Sequence, residues 1–331
     1  MKFRKIFPVV LAVLLLALPL AGCAGGKDKA DDVTIRVGGL AGPTSIGLVK
    51  LMEDNEAGKA ANKYEFSVDT SPDVLTPKLV QGNLDIAALP ANLASVLYNN
   101  TDGRIQLLAI NTLGMLYILT KNTAINTVSD LAGKTIYASG KGATPEFSLR
   151  YILSENGLDP DNDVNIEWKS EHSEVVAALS SNESGIALLP QPFITIAQNT
   201  LPDLDIALDL TEEWNKVGDG TEMLTGVLVV RREFAEAHPT ALAAFLDEYA
   251  ASTEFVNKNI SDAAQLVGKF NIFNAAIAEA AIPHCNITFI GGLDMKPLME
   301  GYLSVLYNQK PASVGGRLPD DDFYYVAEVS D

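Results

Sequence analysis

The chain is poor in positive charge. Lysine and arginine number 24 against 42 aspartates and glutamates, a net charge of −18 at pH 7. That balance argues against nucleic acid as a partner and against a polybasic membrane patch, because both require a cationic face. It also disfavours a strongly anionic ligand unless a local pocket overrides the field. Histidine (3) and cysteine (2) are scarce. No His/Cys/Asp/Glu spacing suits a metal, so neither a metal nor any other cofactor is expected. The adjacent pair His284-Cys285 would point to opposite faces of an extended chain and cannot readily converge on one ion. A buried structural role suits Cys285 better. No G-x-S-x-G elbow or paired-carboxylate motif stands out, and Gly140-Lys141-Gly142 lacks the spacing of a phosphate loop.

What is present begins with a leader. Lys2, Arg4 and Lys5 form a basic n-region, residues 6–20 are apolar apart from Pro8, and Leu20-Ala21-Gly22-Cys23 sets small residues before a cysteine. The run resembles the lipobox of bacterial lipoproteins, which implies cleavage before Cys23 and its diacylation. An uncleaved membrane helix is the alternative, since the segment approaches spanning length. Residues 1–22 are read as signal peptide and 23–32 as a tether without apolar period. Loss of the leader leaves 309 residues at a net charge of −21, long enough for two domains with separate cores. A hydrophobic content of 47% and a charged content of 20% are those of a globular chain. With Cys23 lipidated, Cys285 has no disulfide partner.

The mature chain opens on a strand from Val33, a loop rich in Gly, Pro, Thr and Ser over 38–45, and a helix for which Thr44 or Ser45 is the expected cap. Two more strand–loop–helix units follow. Strand 64–69 leads into Thr70-Ser71-Pro72-Asp73 and a helix closed at Gly82. Strand 84–89 leads into Pro90-Ala91-Asn92 and a helix through Tyr98. Residues 104–111, Thr112-Leu113-Gly114 and 115–120 read as a kinked extended crossing. A second cycle then repeats the architecture. Strand 135–138 precedes Ser139–Glu146, where Thr144 is the expected cap, Pro145 the first helical residue and Glu146 an acidic first-turn residue. Strand 164–168 precedes the loop Ser170-Glu171-His172-Ser173. Strand 185–189 ends in Pro190-Gln191-Pro192-Phe193. Residues 224–230 read as a return crossing, followed by helices over 241–257, 262–269, 275–281 and 294–307. The alternation predicts an α/β fold of two lobes on mainly parallel sheets, with lobe 1 over 33–112 plus 226–331 and lobe 2 over 113–225.

The lipobox, VTIRVGG at 33–39, QGNLDIAALPAN at 81–92, VSDLAGKTI at 128–136, GIALLPQPF at 185–193 and VLVVRREFAEAHP at 227–239 together resemble the extracytoplasmic solute-binding lipoproteins of ABC importers. They look most like the branch serving nitrate, sulfonate, taurine and thiamine-pyrimidine precursors. The resemblance covers nearly the whole mature chain. It implies a type II periplasmic-binding-protein fold whose two crossover strands form a hinge, one small molecule held between the lobes, and delivery to a permease driven by an ATPase subunit. It implies an extracytoplasmic monomer held at the membrane through Cys23, and no enzyme activity. A fungal pyrimidine synthase of this fold consumes its own histidine. His172 would be the counterpart, but no second histidine or cysteine cluster accompanies it. A sensory lipoprotein that presents its ligand to a receptor is a third possibility.

Loops at the carboxyl ends of both sets of strands would face one cleft. The candidate ligand residues are Thr44, Ser45, Pro72, Asp73, Asn92, Asn111, Thr112, Thr144, Glu146, His172, Gln191 and Phe193. For the hydroxyl and amide residues, capping alone is the competing role, and for Asn111 and Thr112 a strand kink. Phe193 could stack on a ring, whereas Tyr137 and Trp168 suit core packing. His238, before Pro239, reads as structural. Lys141 is the only Lys or Arg in these loops, whereas a sulfonate or nitrate pocket wants Arg or Lys aimed inward. The expected ligand is therefore neutral, zwitterionic or heteroaromatic, with an oxyanion less favoured.

Overall fold

The computed structural model describes residues 33–201 and 203–326. The leader, Cys23 and the 23–32 tether lie outside them. No described helix is long and apolar enough to cross a membrane.

In chain order the elements are β1 (Thr34–Leu40), α1 (Pro43–Ile46), α2 (Val49–Glu56), β2 (Lys63–Asp69), α3 (Pro72–Val80), β3 (Ile86–Pro90), α4 (Ala91–Asn100), β4 (Ile105–Leu113) and β5 (Leu116–Lys121). They continue as β6 (Thr135–Ser139), α5 (Thr144–Glu155), β7 (Asn165–Lys169), α6 (His172–Ser181), β8 (Gly185–Pro190), α7 (Phe193–Thr200), β9 (Leu204–Asp209) and α8 (Leu210–Val217). Last come β10 (Leu224–Arg231), α9 (Arg232–Ala237), α10 (Pro239–Lys258), α11 (Ile260–Lys269), α12 (Ala275–Ala281), β11 (Ile287–Gly291) and α13 (Met295–Gln309).

The strands form two mixed sheets, ordered β11-β4-β10-β3-β1-β2 and β7-β6-β8-β5-β9. Within each, the first three strands of the cycle are parallel. Each sheet is completed by an antiparallel strand that arrives from the other lobe, β10 beside β3 and β5 beside β8. That is the two-lobed type II architecture. Chain crosses between the sheets at 113–116 and again at 217–224.

Apolar spacing accounts for the helices. The buried residues of α10, Ala241, Leu242, Phe245, Tyr249, Ser252, Thr253 and Val256, follow one stripe of a 3.6-residue repeat and cover α2 and the first sheet. The expected single helix after the opening loop is instead two, α1 and α2. They break at Gly47, where a Cβ would lie 2.5 Å from Tyr249 Oη. The short helices α7 and α8 and the edge strand β11 have no counterpart in the sequence reading.

The largest apolar cluster does not stop at one lobe. It runs from Leu89, Ala94 and Ile110 through Met299, Tyr302, Leu303 and Leu306 of α13 to Trp214, Ile152 and Ile136. Trp214 and Tyr302 are fully buried, with centroids 5.7 Å apart, and burial of such side chains contributes about 2–3 kcal/mol each.

At the far end of the first sheet, Asp85 is buried between two guanidinium groups, Arg36 at 2.6 Å and Arg231 at 2.7 Å. Burial alone would raise the Asp85 carboxyl. Hydrogen bonds from the Arg36 and Arg231 side chains and from the Arg36 backbone N–H outweigh it and hold the pKa below the usual carboxylate value. A depressed carboxyl contributes stability above its unfolded pKa of about 3.9, and that contribution disappears as pH falls through the folded value. An Asp85→Ala chain, which leaves half-buried Arg231 without its buried carboxylate, should unfold with about 3 kcal/mol less free energy at pH 7 in urea titrations. The difference from wild type should narrow below about pH 4. A gap unchanged on acidification would contradict this account of Asp85.

Candidate functional site

The carboxyl ends of β1–β4 point toward the second sheet, and those of β6–β9 toward the first. β5 and β10 begin at the same junction. The loops that follow these ends form two facing walls.

The lobe 1 wall centres on Gly226. A Cβ there would lie 2.6 Å from Asn111 Oδ1, 2.6 Å from Thr44 Cγ2 and 3.0 Å from Thr112 Oγ1, so only glycine admits this convergence. Asn111 Nδ2 donates to the Thr44 carbonyl at 3.0 Å, and Thr112 Oγ1 donates to Asn111 Oδ1 at 3.1 Å. The expected caps at Thr44 and Ser45 are corrected. Gly42 is the N-cap of α1, and both residues sit inside that helix. The Ser45 hydroxyl turns back to donate to the Leu40 carbonyl at 2.6 Å, while Thr44 Oγ1 is buried with no protein partner. Asn92 follows the N-cap Pro90 of α4. Its Nδ2 donates to Gly142 O across the junction at 3.3 Å and to Ser313 O at 3.1 Å, and its Oδ1 is buried without a partner. Pro72 and Asp73 open α3 at this edge. Asp73 is exposed, and among the described residues no hydrogen bond or ion pair joins either residue to the other candidates.

On the lobe 2 wall, Thr144 is not the cap of α5 either. Ala143 holds that position, and Thr144 Oγ1 accepts a 3.0 Å hydrogen bond from Tyr302 Oη of α13. Glu146 is buried and accepts from Gly142 N–H at 2.6 Å, which ties down the loop that carries Lys141. Lys141 itself is exposed. His172 lies in the first turn of α6, where the sequence reading has a loop. Its Nδ1 is 2.5 Å from Ser139 Oγ and its ring 4.6 Å from that of Phe193. Burial pushes the His172 pKa down to about 4, so the ring is neutral at pH 7. Gln191 N–H donates to Met115 O at the first crossing, and its Oε1 accepts from Thr195.

The structure thus groups Thr44, Asn111 and Thr112 with Gly226, joins Asn92 to the loop of Thr144 and Glu146, and sets His172 beside Phe193. It adds residues the sequence reading passed over. Phe273, between α11 and α12, meets Phe193 edge-on at 5.9 Å. Thr211 and Thr225 flank the second crossing with buried, unpartnered hydroxyls. Their only sequence signal is a polar residue at a strand end. Among the described residues no group of His, Cys, Asp and Glu is placed to hold a metal. Cys285 is buried, and its thiol is pushed up to about 12 by that burial, which makes it unreactive.

A family model described as "ABC transporter, phosphonate, periplasmic substrate-binding protein" matches residues 61–270. The chain belongs to this family of periplasmic substrate-binding proteins. An ABC transporter structure from Parabacteroides distasonis is similar to it at 25% identity and a TM-score of 0.74, over 89% of this chain and 99% of that one. The alkanesulfonate-binding protein SsuA of Xanthomonas axonopodis pv. citri, bound to MOPS, shares the fold at 16% identity and a TM-score of 0.67, over 90% and 98%. The nitrate-binding protein NrtA of Synechocystis PCC 6803 does so at 14% and 0.64, over 86% and 83%. No curated protein matches the chain. As a member of this family, the binding protein is an extracytoplasmic component of an ABC transporter that takes a small molecule.

Gly226→Ala tests whether the lobe 1 wall depends on close approach. The added methyl must displace Thr44 or Asn111, and overpacking of this kind costs about 1–3 kcal/mol. Denaturant titration should show that loss, and a neutral substitution would contradict the packing described.

Proposed function

We propose that this binding protein captures a neutral, zwitterionic or heteroaromatic solute between its lobes and passes it to its permease without altering it. The supporting observation is the chemistry of the junction. Thr44 Oγ1 and Asn92 Oδ1 are buried hydrogen-bonding atoms without protein partners, a costly arrangement that a bound solute would relieve. Elsewhere on the facing walls stand a neutral imidazole and a half-buried phenyl ring, and the one lysine of the loops is in solvent. Hydroxyls, amides and aromatic faces suit a ring bearing donors and acceptors, whereas a phosphonate, sulfonate or nitrate gains most from a guanidinium or ammonium aimed at it.

The moving bodies in this reading are residues 33–112 with 226–331 and residues 113–225. The contact set is Thr44, Ser45, Asn92, Asn111, Thr112, Thr144, Glu146, His172, Gln191 and Phe193, with Pro72 and Asp73 at the rim. A monomer anchored through lipidated Cys23 completes the proposal, as does a place near the nitrate, sulfonate, taurine and thiamine-precursor branch. A Cys23→Ser chain should leave the membrane fraction, and its retention there would remove the anchor from the account.

A thermal-shift screen tests the ligand class directly. A solute at a hundred times its Kd adds about 2.7 kcal/mol of stability, which raises Tm by several degrees in a chain of this size. Aminopyrimidines or related heteroaromatic zwitterions should give such a shift in wild type, and His172→Ala or Phe193→Ala should reduce it. Strong stabilisation by nitrate, taurine or a simple alkylphosphonate alone would overturn the proposal.

A further inference from the structure

Two side chains flank a single residue, Gly142, of the lobe 2 loop. Glu146 Oε2 accepts from the Gly142 N–H at 2.6 Å, and Asn92 Nδ2, reaching across from lobe 1, donates to the Gly142 carbonyl at 3.3 Å. Asn92 is fully buried. Its Nδ2 also donates to Ser313 O at 3.1 Å, so both amide hydrogens are committed to carbonyls and the amide cannot be flipped. Asn92 Oδ1 is left buried without a partner, and a carbonyl oxygen can only accept. What this corner of the junction lacks is a donor.

Glu146 is the third residue of α5, where a side chain that accepts a preceding N–H is a common helix start. Glutamine would accept that bond as well, without the cost of burying a charge. Glu146 is 8% exposed, yet among the described residues no ion pair reaches it. Arg150, one turn on, lies within its field but is engaged by Asp161 through bonds of 2.8 and 2.7 Å, and Lys141 is in solvent. Glu146 Oε2 alone accepts from Gly142, and among the described residues nothing donates to Oε1. The carboxylate also fills the place at the start of α5 where the helix dipole would favour a bound anion. A net charge of −18 draws cations toward the molecule and repels anions.

We propose that Glu146 and Asn92 select a solute with a cationic N–H group, a protonated amine or amidine, which donates to Glu146 Oε1 and Asn92 Oδ1. An ammonium brings three donors and no acceptor, which matches the acceptors left open. Within the ligand class proposed above, this favours zwitterions and protonated heteroaromatic rings over neutral ones. Glu146 is the specificity-determining contact. The inference rests on the reading that solute binds between the lobes, and its test separates the two.

Three probes built on one ring supply that test: pyrimidin-5-ylmethanamine, pyrimidin-5-ylmethanol and pyrimidine-5-carboxylate. Binding is measured by titration calorimetry at pH 7 on the mature chain after unfolding, dialysis and refolding to remove retained solute. The amine, protonated at that pH, should bind about tenfold or more tightly than the alcohol, and the carboxylate most weakly. Glu146→Gln, which keeps an acceptor for the Gly142 N–H, should bring the ratio of amine to alcohol affinity to about one. The wild-type ratio is read without the variant, so a Glu146→Gln chain that fails to fold does not remove the test. An alcohol bound as tightly as the amine by wild type would overturn the inference and leave the proposed ligand class standing. A ratio unchanged in folded Glu146→Gln would overturn it too, since selection would lie elsewhere. Binding of none of the three overturns it as well, and if nitrate, taurine or an alkylphosphonate binds instead, the ligand class falls with it.

Discussion

Hydrogen bonding at the junction of the two sheets is the constraint on which the rest of the molecule depends. Parallel strands of both lobes end there, and each ends in a loop whose polar groups lose water when the lobes meet. Most are satisfied within the protein: Ser45 by the Leu40 carbonyl, Asn111 by the Thr44 carbonyl, Thr144 by Tyr302 and Glu146 by Gly142. Thr44 Oγ1 and Asn92 Oδ1 are not. A buried acceptor or hydroxyl left unpaired costs about 1–3 kcal/mol, so the junction is arranged around atoms that gain most from a third party.

The apolar framework makes that arrangement possible. α13 continues one hydrophobic core from lobe to lobe, which fixes Thr144 and its loop against Asn92. Gly114 and Gly226 allow the crossings to run beneath side chains that a Cβ would displace, those of Thr211 and Thr44 respectively. The charged cluster of Arg36, Asp85 and Arg231 lies at the opposite end of the first sheet. The two guanidinium groups are thus kept away from the cleft, in keeping with a ligand that is not held by a cationic side chain.

Much of the fold was legible because its cues are local. Buried parallel strands read as apolar runs, as in Ile86–Leu89 and Ile186–Leu189. Pro72 and Pro145 mark helix starts because the ring pre-sets φ. The two crossings read as extended runs, 104–120 with its break at 112–114 and 224–230. Partners distant in sequence left no such trace. Thr144 has the composition of a cap, yet its hydroxyl faces a tyrosine 158 residues away. Asn92 meets a carbonyl 221 residues on. Phe273 sits in the five-residue connection 270–274, which nothing in the sequence distinguishes. The sequence reading has His172 in a loop, whereas α6 begins at that residue.

The central claim is that solute is held by hydroxyl, amide and aromatic groups, without a cation. The most direct test is a crystal structure of the binding protein carrying the solute it retains from the cell, with that solute identified by mass spectrometry. The account predicts a neutral or zwitterionic ring that accepts or donates hydrogen bonds at Thr44 Oγ1 and Asn92 Oδ1 and lies against His172 and Phe193. A phosphonate, sulfonate or nitrate coordinated by Lys141 or another basic side chain would contradict it.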